Sequence, residues 1–89
     1  MQTGRVHGHA AGRDFDYDCD VVWFGEHGAT LATRTEPSHK IHVRPRYQGG
    51  VLGGRQSVVC AFEFDDQYVA LAFVELTSDG VVLVRPHDY

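Results

Sequence analysis

The stretch Asp14–Phe24, DFDYDCDVVWF, decides the fold. Asp14, Asp16, Asp18 and Asp20 occupy every second position, with Phe15, Tyr17, Cys19 and Val21 interleaved. A β-strand sends successive side chains to opposite faces, so the carboxylates line one face and the apolar set the other. Continued in phase, Trp23 joins the apolar face, and Val22 and Phe24 extend the acidic one. Further on the pattern recurs with opposite sign. Lys40, His42, Arg44 and Arg46 alternate with Ile41, Val43, Pro45 and Tyr47.

Working outward, alternation of apolar and polar residues dominates the chain, and Gly or Pro interrupts it at short intervals. Strands are expected at about Arg5–His9, Asp14–Phe24, Ala29–Thr35 and His39–Tyr47. The run Gly25-Glu26-His27-Gly28 should turn the chain, and Pro37-Ser38 should break it. Residues 48–56 form a Gly-rich loop holding Gly49, Gly50, Gly53 and Gly54. The last third reads as a meander. Val58, Cys60, Phe62 and Phe64 face inward, Asp65-Asp66 turns, Tyr68–Leu76 is apolar on both faces, and Ser78-Asp79-Gly80 is a hairpin signal before Val81–Val84. A short helix over 66–76, capped by Asp65, is the competing reading. The expected class is all-β, a small antiparallel barrel or sandwich of six or seven short strands. Phe15, Tyr17, Phe62, Phe64, Phe73 and Trp23 are assigned to the core.

The 89 residues form one domain, 1–89, with 1–12 as an N-terminal segment that frays. A net charge of −4 does not suit a general nucleic-acid binder, which is usually basic. No apolar run is long enough to span a membrane, and Met1–Gly12 lacks a signal-peptide core. The expected location is therefore cytoplasmic, where Cys19 and Cys60 read as buried thiols. A strand apolar on both faces must be covered on both, so Tyr68–Leu76 also points to a homodimer.

Asp is a poor strand former, so four in one strand need a reason. Same-face neighbours lie ~6.7 Å apart and repel by roughly 0.6 kcal/mol in water. A solvated outer face tolerates this, and cross-strand pairing with the basic row would relieve it. In a simple meander the two rows stand ~9.5 Å apart, with Thr30, Ala32 and Arg34 between them. Arg34 could then neutralise part of the acidic row.

The first functional reading is a small non-enzymatic module that binds a protein partner through Asp14, Asp16, Asp18, Asp20 and Phe24, as an adaptor or a phage-type inhibitor. The alternative is a binder of an anionic ligand, nucleotide or nucleic acid, at Lys40, His42, Arg44, Arg46 and Arg55, with Tyr47 beside Arg46 available to stack on a ring. The Gly-rich loop lacks the Lys and Ser/Thr of a phosphate-binding P-loop. A third reading uses the histidines. His7 and His9 share a strand face and could begin a site for a divalent transition metal, with Asp14, His27, His39 or His87 completing it. If the protein is an enzyme, His42 with Asp18 or Asp20 is the first candidate acid–base pair.

Overall fold

The computed structural model describes residues 2–46 and 58–87. Seven strands follow one another: β1 (Thr3–Ala10), β2 (Arg13–Gly25), β3 (Gly28–Thr33), β4 (Lys40–Pro45), β5 (Val58–Phe64), β6 (Gln67–Leu76) and β7 (Val82–His87). Each pairs with its neighbour in sequence, and β1 closes on β7 to complete a barrel. The six sequential pairings are antiparallel and the closing one is parallel. An up-and-down meander with an odd number of strands returns its last strand in the direction of its first, so the closure has to be parallel. The expected barrel of six or seven strands is found. The competing helix over 66–76 is not: Asp66 lies in a turn and Gln67–Leu76 forms β6, whose backbone is held on both sides by β5 and β7. The N-terminal segment 1–12, expected to fray, supplies β1, which is paired on both edges. The Gly-rich loop 48–56, with Arg55, and Tyr47 lie outside the described residues.

Tight turns fit their residues. Ala11 and Gly12 both have positive φ, as do Asp65 and Asp66, and two consecutive positive values define the primed turn that matches strand twist. The inward residues pack the barrel solid. Phe15, Phe62, Leu31 and Ile41 are fully buried, and Phe15 meets Phe62 edge to face with centroids 5.1 Å apart. A barrel of this width has room inside for side chains only. Any partner or ligand is therefore met on the outer wall or at the barrel ends.

Two bulges decide which residues that wall carries. In β2, Val21 pairs with Leu31 but Trp23 pairs with Thr30, leaving Val22 as an extra residue. A one-residue slip exchanges the faces of everything after it. Phe24, expected on the acidic face, instead packs against the core opposite buried Ala29, and Trp23, expected in the core, projects outward. A second bulge leaves Val69 unopposed between Tyr68 and Ala70. Phe73, also expected in the core, faces outward opposite Val59 and Arg85 and is 39% exposed.

Candidate functional site

The acidic row lies on the outer wall as the alternation requires. The two-residue turn at Ala11-Gly12 sets the β1–β2 register, which places His9 opposite Asp14, His7 opposite Asp16, Arg5 opposite Asp18 and Thr3 opposite Asp20. β1 thus lays one guanidinium and two imidazoles along the carboxylates. His9 Nδ1 lies 2.9 Å from Asp14 Oδ1, and Arg5 Nη2 reaches diagonally to Asp16 Oδ1 at 3.3 Å. On the other flank Arg34 donates from Nε and Nη2 to Asp20 Oδ1, at 2.9 and 2.7 Å. Asp20 holds the Arg34 guanidinium above its usual pKa through that hydrogen bond and its charge. Asp18 has no ion pair among the described residues.

The same strand carries an uncovered backbone edge. β3 pairs with β2 only from Cys19 onward, and the Arg34 amide adds one further bond to the Asp18 carbonyl at 2.9 Å. Backbone groups of alternate residues point to the same side of a strand. Those of Asp14 and Asp16 are in phase with Asp18 and extend past the end of β3.

The basic row diverges from the acidic one instead of pairing with it. Asp20 is level with Ala32, and Ala32 with Lys40. From that level Asp18, Asp16 and Asp14 run towards one end of the barrel, while His42, Arg44 and Arg46 run towards the other. The basic row meets different acids. His42 Nε2 lies 3.5 Å from Asp66 Oδ1, and Arg44 Nε lies 3.8 Å from Glu63 Oε2. His42 Nδ1 is 2.9 Å from Thr30 Oγ1. The acid–base pair of His42 with Asp18 or Asp20 does not form, because His42 is occupied by Thr30 and Asp66, and Asp20 by Arg34.

The β1–β2 and β5–β6 turns meet at one end of the barrel. Arg13 points inward there and places its guanidinium over the rings of Phe15 and Phe64, at 4.8 and 5.1 Å. His39 packs on Phe64 at 5.0 Å and its Nδ1 lies 2.7 Å from Asp65 Oδ2. Asp65 Oδ1 accepts the Lys40 amide at 3.0 Å, and that bond, followed by the one to His39, holds the carboxyl below its usual pKa. A cleft of about 440 Å³ opens beside this group, walled by Arg13, Phe64, Gln67 and Tyr68.

His7 and His9 share the outer face of β1, as the sequence implies. Among the described residues no three His, Cys, Asp or Glu side chains converge in a metal-binding arrangement. Cys19 and Cys60 are buried, free and inward, with thiols directed at the carbonyls of Tyr17 and Val58. Burial pushes both thiols up to about 11, so neither is an activated nucleophile.

Sequence reasoning missed Arg5 and Trp23 as surface features. The Arg5–Asp18 register follows from the Ala11-Gly12 turn, a legible signal. Trp23 depends on a bulge between two valine positions, which carries no such signal. No helix among the described residues is long and apolar enough to cross a membrane. Comparison with protein-family models, with curated proteins and with solved structures finds no match.

Proposed function

We propose that this protein is a small cytoplasmic, non-enzymatic binding module, an adaptor or inhibitor, that recognises a basic segment of a protein partner along β2. The observation that carries this reading is the coincidence of two features on one stretch of strand. Asp14, Asp16 and Asp18 present carboxylates to solvent, and on the side away from β1 the backbone of Asp14 and Asp16 has no neighbouring strand among the described residues. An extended basic segment would satisfy both at once, through main-chain hydrogen bonds for affinity and alternate Lys or Arg side chains for selectivity. Three carboxylates in a row also steer a basic partner during encounter. The filled barrel interior supports an external mode of recognition, and Asp20, already held by Arg34, contributes least.

Charge reversal tests the reading. Asp16→Lys with Asp18→Lys should abolish partner capture by the immobilised protein. Arg44→Glu with Arg46→Glu should leave capture intact. Loss in the second variant and retention in the first would refute the proposal.

A further inference from the structure

We infer that Trp23 is a stacking platform for a ligand that combines a nucleobase with a phosphate, on the outer wall of β2–β4 and separate from the acidic strand edge. Trp23 is the only tryptophan in the chain and is 53% exposed. Its position is built. The bulge at Val22 turns the indole out of the core, and bulges recur where a side chain is re-aimed for function.

Two glycines then make its floor. A Cβ on Gly25 would stand 2.9 Å from Trp23 Cζ2, and one on Gly28 would stand 3.6 Å from Cζ3. A side chain at Gly25 would crowd the indole, and one at Gly28 would meet it in ordinary van der Waals contact.

The surroundings supply the rest of the ligand's chemistry. That same Cβ on Gly28 would stand 3.8 Å from the Arg44 Cα, which brings the basic row of β4 beside the ring. Arg44 is exposed, and Glu63 holds it only loosely at 3.8 Å, so its guanidinium fork can turn to a phosphate. Thr30 stands between Trp23 and His42 in the register and fixes the imidazole through Nδ1. An aromatic face with arginine beside it suits a base that stacks and a phosphate that is gripped, and stacking on an aromatic side chain is tolerant of sequence. The same chemistry is offered by a free nucleotide and by a single-stranded nucleic acid.

Because Trp23 is the sole indole, its fluorescence reports the site directly. The protein would be titrated with AMP, adenosine, ribose 5-phosphate, an eight-residue oligothymidylate and maltotriose. Saturable quenching by AMP or the oligothymidylate is expected, with adenosine and ribose 5-phosphate each much weaker. Comparable binding of AMP and the oligomer would identify the mononucleotide as sufficient, and binding of the oligomer alone would identify the single strand. Arg44→Gln, which keeps the fluorophore, should weaken binding by roughly tenfold or more. Trp23→Ala, followed by equilibrium dialysis, should weaken it by at least about fivefold. Circular dichroism of both variants checks that the barrel persists. Absence of quenching by both nucleotide probes, quenching by maltotriose instead, or unchanged affinity in folded Trp23→Ala would overturn the inference.

Discussion

Arg34 grips a single oxygen of Asp20 with two nitrogens, Nε at 2.9 Å and Nη2 at 2.7 Å, and so withdraws the last carboxylate of the row from the surface. Asp18, two residues earlier on the same face, has no such partner among the described residues. The row of four is therefore uneven. Its open member is Asp18, with Asp16 held by Arg5 at 3.3 Å and Asp14 beside His9 at the rim.

That unevenness predicts an order of effects among single variants. Asp18→Asn should weaken partner capture more than Asp20→Asn, because only Asp18 offers an unengaged carboxylate. Arg34→Ala should strengthen capture by releasing Asp20. Surface pairs of this kind contribute little to folding, so urea midpoints of the three variants should stay close to that of the parent. Affinity measured beside urea unfolding separates the two effects.

The glycine beneath the indole makes a steric prediction. A Cβ on Gly28 would stand 2.7 Å from the Val43 carbonyl oxygen, where β3 meets β4 and backbone must move. Gly28→Ala should cost about 1–3 kcal/mol in unfolding free energy. Gly25→Ala meets the edge of the Trp23 ring instead of backbone. It should cost less and shift the emission of Trp23.

Acid should act through Asp65. Its folded pKa lies below the ordinary 3.8, because the Lys40 amide and His39 both favour the charged form. A depressed carboxyl stabilises the fold above the unfolded pKa and loses that contribution as pH falls through the folded one. Asp65→Asn should therefore be less stable than the parent at pH 6, and the difference should be smaller at about pH 2, below the ordinary carboxyl range. Urea midpoints at the two pH values check this.

The thiols behave in the opposite sense. Both rise from 9.0 to about 11 on burial, so their contribution is present below pH 9 and fades as pH approaches 11. In native protein at pH 8, Cys19 and Cys60 should resist a thiol-specific reagent, and both should react at once in denaturant.

Much of this architecture could be read from residue order, and the failures have local causes. The alternation Asp14–Asp20 placed β2 and its two faces correctly, since a strand allows no other arrangement of that pattern. The turn residues Asp65-Asp66 and Ser78-Asp79-Gly80 marked the hairpins. Faces went wrong where a bulge inserted a residue. Val22 and Val69 are ordinary strand residues, and nothing in their chemistry announces that they are unopposed. Trp23 and Phe24 consequently exchanged sides. Phe73 was misplaced for another reason: β6 is apolar on both faces, so hydrophobicity could not say which face looked inward. The site was legible as two charged rows but not as their divergence. That depends on the registers that set Asp20 level with Ala32 and Ala32 level with Lys40, which alternation alone does not fix.

In the proposed reading the β2 edge and its carboxylates form one recognition surface for an extended basic segment. Amide chemical-shift mapping of the ¹⁵N-labelled protein with an eight-residue peptide of alternating Arg and Val tests it most directly. The largest shifts should fall at Asp14, Asp16, Asp18 and the facing residues of β1, and Asp16→Lys with Asp18→Lys should remove them. Shifts centred on β4, or shifts that survive that double reversal, would contradict the account.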